Sequence, residues 1–277
     1  MTATRTWQHA DLVVDDISIH YARTGTAGKP PVVLLHGFSD SGAVWAPLAR
    51  DLAADYDLVA IDTVGHGHSG PPGEGFDRAR YVGDTLAVMD ALGWERAILL
   101  GHSMGAGTAA NTAAQAPGRV RALVLEDPGL RDAMPTVAPG DRGIGSLHWV
   151  NLLTNFRAQD AAARLAAARA EHPNWSDDEL APWAESKARF NLESIALLRA
   201  PQRPAPWRDT YRRITCPTLL ITGDPARGAI VTPEVAAEVV ALTPATQVAH
   251  IPGTSHNIRR DDYPAFLAAV RGFLAAH

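Results

Sequence analysis

The chain has 277 residues, of which 46% are hydrophobic and 20% charged, and its formal net charge is −5 at pH 7. This composition is typical of a globular protein with a sizeable core, and the negative charge argues against nucleic acid as a partner. Residues 1–11 lack the apolar core of a signal peptide, and no later segment approaches a membrane span. We therefore expect a cytoplasmic protein without a membrane partner, whose partner is a small-molecule substrate.

Apolar runs alternate with helical patterns along most of the chain. Residues 17–21 alternate apolar and polar side chains, which indicates a half-exposed antiparallel strand. The later runs are continuous, as in strands buried on both faces of a parallel sheet, and they occupy residues 31–36, 56–62, 96–101, 120–127, 217–223 and 246–252. Helical patterns occupy residues 43–54, 78–92, 105–116, 233–242 and 263–276. This alternation predicts right-handed βαβ crossovers and a doubly wound α/β sheet.

Residues 129–213 interrupt the alternation. They contain no convincing strand, but helical patterns at 150–170 and 177–200 and four of the seven tryptophans. An insertion of this kind predicts a helical cap over the carboxyl edge of the sheet, where ligands bind in open α/β folds. We expect residues 1–128 and 214–277 to form the core and residues 129–213 to form the cap.

The segment Gly101-His102-Ser103-Met104-Gly105 joins a predicted strand to a predicted helix. Gly-x-Ser-x-Gly in this context is typical of a nucleophile elbow, in which a strained turn exposes the serine hydroxyl. A tight turn that merely needs small residues is the structural alternative. The pattern predicts that Ser103 is a nucleophile.

A serine hydroxyl needs a base to remove its proton. His256 follows the last predicted strand and precedes the last helix, where such a base is expected. The other histidines considered lie in or beside glycine-bearing turns or inside a strand: His36, His66, His68, His102 and His250. The single cysteine, Cys216, is expected to be a buried thiol. No histidine pair has the spacing of metal ligands on a helix face, so neither a metal site nor a cofactor is predicted.

An oxyanion hole needs backbone N–H groups that converge on one point. We expect these donors to be the amides of Met104, directly after the nucleophile, and of Phe38, in the loop after the first buried strand. The side chains of both residues should then line the floor of the substrate pocket. Further pocket residues are predicted at His36, His102, Trp149 and Trp183.

In their order along the chain, the His-Gly-Phe loop at 36–38, the loop at 62–69, the elbow and the terminal histidine resemble the α/β-hydrolase family. The resemblance covers nearly the whole chain. It implies an eight-stranded, mostly parallel sheet with an antiparallel second strand and a helical cap inserted after strand 6. It also implies that the loop at 62–69 is a structural turn beside the site.

The acid of the catalytic triad is where this chain departs from the family. The usual position, three residues past the glycine that ends strand 7, holds Ala226. Asp127 ends the sixth predicted strand, where haloalkane dehalogenases and zearalenone-type lactonases carry their acid, and Asp224 lies close to the usual position. We rank Asp127 slightly above Asp224. Glu126 is third, because adjacent side chains point to opposite sides of a strand.

These residues predict a serine hydrolase that cleaves a carboxylic ester or lactone of a small to medium, largely apolar substrate through an acyl-enzyme. Two enzymatic alternatives use the same triad: hydrolysis of a C–C bond, and transfer of the acyl group to an alcohol or peroxide. A third alternative is a non-catalytic binding protein of hydrolase fold, because the usual strand-7 acid is missing. The natural substrate and the oligomeric state do not follow from the sequence.

Overall fold

An eight-stranded sheet lies at the centre of the protein. The computed structural model describes residues 6–73, 76–131, 147–195 and 207–277. The strands are β1 (Gln8–Val14), β2 (Ile17–Gly25), β3 (Pro31–Leu35), β4 (Asp57–Ile61), β5 (Ala97–His102), β6 (Val120–Glu126), β7 (Thr218–Thr222) and β8 (Thr246–His250).

The strand order is β1-β2-β4-β3-β5-β6-β7-β8. Strand β2 runs antiparallel to both β1 and β4, and every other neighbouring pair is parallel. The predicted mostly parallel sheet with an antiparallel second strand is therefore confirmed. Because β3 to β8 are parallel, their carboxyl ends meet at one edge of the sheet, and all candidate site residues of the core follow those ends.

The continuous apolar runs form strands because helices cover both faces of the sheet. In β3, Val33 and Leu35 belong to the core on one face, whereas Val32 and Leu34 belong to the core on the other. Covering such a sheet on both sides removes each strand side chain from water, worth about 25 cal/mol per Å² of apolar surface. The helices of the core are α1 (Ala46–Leu52), α2 (Arg80–Ala91), α3 (Met104–Gln115), α7 (Trp207–Tyr211), α8 (Pro233–Leu242), α9 (Ile258–Asp261) and α10 (Tyr263–Ala276).

Three helices between β6 and β7 form the described part of the cap: α4 (Leu147–Ala158), α5 (Ala161–Glu171) and α6 (Asp177–Arg189). The single helix expected over 150–170 is in fact two, because the Asp160 side chain accepts the Ala163 amide and starts a new helix. Of the pattern expected over 177–200, α6 covers Asp177–Arg189, and residues 196–200 lie outside the described part of the chain. Parts of the predicted cap, residues 132–146 and 196–206, lie outside the described residues.

Among the described residues, no helix combines the length and the apolar character that crossing a bilayer requires.

Candidate active site

Ser103 occupies the sharp turn between β5 and α3. Its backbone has φ 52° and ψ −111°, a strained conformation that places the side chain at the tip of the turn. Both flanking glycines are required sterically. A Cβ on Gly105 would lie 2.1 Å from the Leu35 carbonyl oxygen, and one on Gly101 would lie 2.4 Å from the Gly105 backbone. The pentapeptide therefore has the geometry of a nucleophile elbow.

His256 and Asp127 are in direct contact. His256 Nδ1 lies 2.6 Å from Asp127 Oδ2, and the Asp127 side chain is fully buried. The same carboxylate accepts the backbone N–H groups of Ile230 at 2.8 Å and Val231 at 2.9 Å. Because a carboxylate only accepts, the His256 proton lies on Nδ1 and the Nε2 lone pair is available as a base.

The two other candidate acids bind different partners. Asp224 Oδ2 accepts the Gly253 amide at 2.6 Å, and its Oδ1 lies 3.1 Å from His250 Nε2. Asp224 therefore supports the loop that carries His256 without touching the His256 ring. Glu126 accepts the Arg259 amide at 2.7 Å.

The proposed oxyanion donors lie at two chain turns next to Ser103. Met104 is the first residue of α3, so its N–H has no acceptor within the helix. Phe38 lies in a turn closed by the hydrogen bond from the Asp40 amide to the Gly37 carbonyl, 3.1 Å. Phe38 lines a cavity beside Ser103, whereas the Met104 side chain, predicted to line the same pocket, packs against the core.

A cavity of about 260 Å³ lies between the cap and the carboxyl edge of the sheet. Ser103 and His256 both line it, together with the predicted pocket residues His102, Trp149 and Trp183. The remaining lining contains several polar and charged side chains beside Leu152. It includes His148, His172, Asn257, Glu171, Asp40, Lys187 and Arg260.

His36 does not line this cavity, contrary to the prediction. Its side chain is fully buried beneath the loop, where Nδ1 donates to the Gly37 carbonyl at 2.8 Å and Nε2 accepts the Thr63 amide at 3.1 Å. Burial lowers the pKa of His36, so the neutral ring shapes the loop from below.

His102 is the neighbour of both Ser103 and His256. Its Nε2 lies 2.9 Å from the His256 carbonyl oxygen, and the two rings lie 4.7 Å apart. Because a carbonyl only accepts, the proton of His102 is on Nε2. Burial, assisted by the nearby His256, holds the pKa of His102 well below its ordinary value, so this ring stays neutral and supports the His256 backbone.

Sequence reasoning missed a cluster of buried charges at the cavity wall. Lys187 Nζ lies 2.5 Å from Asp40 Oδ1, and Arg260 Nη2 donates to Asp40 Oδ2 at 2.9 Å. No motif marks these residues, and the only compositional signal is that Lys187 is one of two lysines in the chain. Among the described residues, no group of three or more His, Cys, Asp or Glu side chains is arranged to hold a metal ion.

Comparisons with known proteins agree with the fold. The family described as alpha/beta hydrolase fold matches residues 30–259. N-formylmaleamate deformylase of Pseudomonas putida is 30% identical over 257 residues, which are 92% of each chain. The crystal structure of an N-formylmaleamic acid deformylase from Pseudomonas putida S16 superposes with a TM-score of 0.79 at 21% identity, over 95% of this chain and 100% of that one.

A further relative is matched over only part of its length. The dihydrolipoyllysine-residue acetyltransferase component of the acetoin cleaving system of Cupriavidus necator is 41% identical over 133 residues. These residues are 48% of this chain and 35% of that protein.

Proposed function

Since the chain belongs to the α/β-hydrolase family, we propose that it is a serine hydrolase that cleaves a carboxylic ester or lactone through an acyl-enzyme. Ser103 is the nucleophile, His256 the base and Asp127 the acid in this proposal. The amides of Phe38 and Met104 form the oxyanion hole. The cavity of about 260 Å³ favours a small substrate.

The proposed reaction has two similar halves. His256 Nε2 takes the proton of the Ser103 hydroxyl while the serine oxygen attacks the substrate carbonyl. The carbonyl oxygen becomes an oxyanion that accepts hydrogen bonds from the two amides. His256 then gives its proton to the leaving alcohol, the C–O bond breaks, and a water molecule releases the acyl group by the same steps.

The contact between His256 Nδ1 and Asp127 Oδ2, 2.6 Å, is the observation that carries the proposal. It fixes the tautomer in which Nε2 accepts a proton, and it stabilises the imidazolium that forms during the reaction. Both His256 and Ser103 line the same cavity. A base, a nucleophile and a space for substrate are therefore found together.

The test is hydrolysis of p-nitrophenyl acetate by the wild type and by Ser103→Ala. We expect kcat/KM to fall by about 10⁴-fold or more, since the elements of a triad act as one unit. Labelling with a fluorophosphonate probe should stop in Ser103→Ala and continue in Ser176→Ala, an exposed serine of the cap. A wild type that neither hydrolyses the ester nor takes the label would be a binding protein of hydrolase fold instead.

Amide hydrolysis, such as removal of an N-formyl group, is a second candidate. The Pseudomonas putida relative named N-formylmaleamate deformylase favours it, and polar side chains such as His148, His172 and Asn257 in the lining could bind an amide substrate. Formate release from N-formylmaleamate and alcohol release from short esters can be measured side by side. A kcat/KM for the amide about 100-fold above that for the esters would replace the ester proposal.

The alternatives that share the triad differ in the bond cleaved or in the acceptor. Product analysis with added alcohol or hydrogen peroxide distinguishes hydrolysis from acyl transfer and peroxyacid formation. A meta-cleavage diketone as substrate tests C–C bond hydrolysis.

A further inference from the structure

Three segments that surround Ser103 meet at the buried carboxylate of Asp40. Asp40 lies two residues after Phe38 in the proposed oxyanion loop. Its Oδ1 contacts Lys187 of cap helix α6, and its Oδ2 contacts Arg260 of α9, four residues after His256. We call Asp40, Lys187 and Arg260 the ionic clasp. Through it, the loop, the cap and the segment that carries the base are joined at one point.

The hydrogen bonds of Lys187 are all directed to the loop. An ammonium group has three N–H donors. Lys187 Nζ contacts Asp40 Oδ1 at 2.5 Å, Ser39 Oγ at 2.8 Å and the Ser39 carbonyl oxygen at 3.1 Å. No donor is left for a substrate, although Lys187 lines the cavity. Lys187 therefore holds the loop at Ser39 and Asp40 in place.

The part of the loop that Lys187 holds is strained. Ser39 has φ 64° and is the third residue of the turn closed by the Asp40 amide. That position of a β-turn favours glycine or asparagine when φ is positive. A serine keeps this conformation only where other contacts hold it, and Lys187 binds both its side chain and its carbonyl.

Burial makes these contacts strong and specific. Ser39, Asp40, Lys187 and Arg260 are each at most 5% exposed. Burial alone would raise the pKa of Asp40, but Arg260 and Lys187 hold it well below its ordinary value. Burial lowers the pKa of Lys187 to about 8 against the opposing effect of Asp40, so the amine is mostly charged at pH 7. A buried pair of this kind adds little net stability, because desolvation of the charges offsets their attraction, but removal of one partner is strongly destabilising.

We propose that Asp40 and Lys187 are positioning residues, and that they make docking of the cap a condition for a formed oxyanion hole. The inference rests on the proposed function, because it assigns the Phe38 amide to the oxyanion. When the cap loses the ionic clasp, Ser39 leaves its strained conformation. The amide of Phe38, the residue directly before it, then no longer points at the oxyanion.

The test compares Lys187→Met with Lys29→Met, which removes the only other lysine of the chain at an exposed position. Methionine keeps an unbranched apolar stem up to the Cε position and lacks the ammonium group, and Asp40 remains paired with Arg260. For Lys187→Met we expect kcat per labelled Ser103 to fall about 10- to 100-fold, with a smaller change in KM, as for a misplaced catalytic group. Hydrogen exchange of the amides at residues 37–41 should accelerate in Lys187→Met and not in Lys29→Met.

Chemical rescue separates positioning from a general loss of packing. Lys187→Ala leaves a space that opens on the cavity, which ethylammonium can enter. We expect ethylammonium to restore kcat several-fold at pH 7 and ethanol of the same size to have no effect. Restoration by the cation alone would show that the positive charge beside Asp40 is what the loop requires.

Three results would overturn the inference. The first is a folded Lys187→Met with unchanged kcat and unchanged exchange at residues 37–41. The second is a change in KM alone that ethylammonium does not reverse, which would assign Lys187 to substrate binding. The third is unchanged exchange in Lys187→Gln, the variant to use if Lys187→Met does not fold. If Ser103 takes no label, the proposed function fails, and the exchange measurement still decides whether the clasp holds the loop.

Discussion

The two sides of the cavity are held in place by different physical means. On the sheet side, Ser103 and Asp127 follow neighbouring parallel strands, and backbone hydrogen bonds hold both residues. The Ser103 amide donates to the Glu126 carbonyl, and the Asp127 amide donates to the Ile221 carbonyl. On the loop side, Ser39 and Asp40 are fixed by charged side chains from the cap and from α9. Backbone register therefore positions the nucleophile and acid, whereas distant charges position the oxyanion loop.

The largest expected effect tests the sheet side. Asp127→Asn should lower kcat by about 10⁴-fold, because an amide can donate to His256 Nδ1 and so stabilise the wrong tautomer. Asp224→Asn is the matched control, and its kcat should change by less than about 3-fold, since Asp224 touches the loop backbone and not the ring. Steady-state ester hydrolysis measures both. A larger loss of kcat in Asp224→Asn than in Asp127→Asn would identify Asp224, after β7, as the acid.

Gly105→Ala tests whether the sheet side depends on close backbone packing. The added Cβ would lie 2.1 Å from the Leu35 carbonyl oxygen, so we expect a loss of about 4 kcal/mol in the free energy of unfolding. Gly107→Ala, two residues along the same helix, meets nothing within 4 Å and should be stabilising by up to about 1 kcal/mol. Urea unfolding followed by circular dichroism gives both values. Equal effects would contradict the steric argument.

On the loop side, Asp40→Asn should cost about 3 kcal/mol of unfolding free energy, because it leaves the buried Lys187 without an anion and leaves Arg260 with Glu179 only. Asp177→Asn is the control. Its partner Arg169 is exposed, and solvent screening leaves such a surface pair with little effect on stability. If both substitutions lower the free energy of unfolding by the same amount in urea, the buried charges do not hold the loop in place.

The smallest expected effect is a pH dependence beneath the loop. Burial, with a smaller effect of His36, lowers the pKa of His66 from 6.5 to about 3. The contribution of neutral His66 to the free energy of unfolding is therefore complete above pH 6.5 and is lost as the pH falls towards 3. In this range His66 binds a proton readily only in the unfolded chain.

Between pH 7.5 and pH 5, the wild type should lose about 2 kcal/mol more unfolding free energy than His66→Leu. Urea titrations of both proteins at the two pH values measure this difference. Parallel losses would show that the His66 ring takes up a proton without unfolding.

The sheet side could be predicted from the sequence because its signals are local. Glycines two places on either side of Ser103, directly after an apolar run, define the elbow, and His256 follows the last strand. The choice between Asp127 and Asp224 could not be made, since it depends on the direction in which each carboxylate leaves its strand. Asp127 has φ 41°, and the amides of Ile230 and Val231 orient its carboxylate towards His256.

The loop side could not be predicted because its partners are far apart in the chain. Lys187 lies 147 residues from Asp40, and Arg260 lies 220 residues from it. A lysine on an amphipathic helix is ordinarily exposed, so nothing local indicates that Lys187 is buried. The apolar runs in the sequence did not indicate strand β1, for a different reason. It lies at the edge of the sheet beside β2, and its side chains are at most half-buried, so it lacks an apolar run.

The position of Asp127 at the end of β6 has a consequence for engineering. The loop after β7 carries no group that touches the His256 ring, and residues 225–228 of this loop are exposed. The amides that hold Asp127 begin only at Ile230. A peptide inserted at Ala226 should therefore leave the contact between Asp127 and His256 intact. In this chain only residues 225–228 of the loop after β7 are free to vary, because Asp224 supports the His256 loop and the amides of Ile230 and Val231 hold the acid.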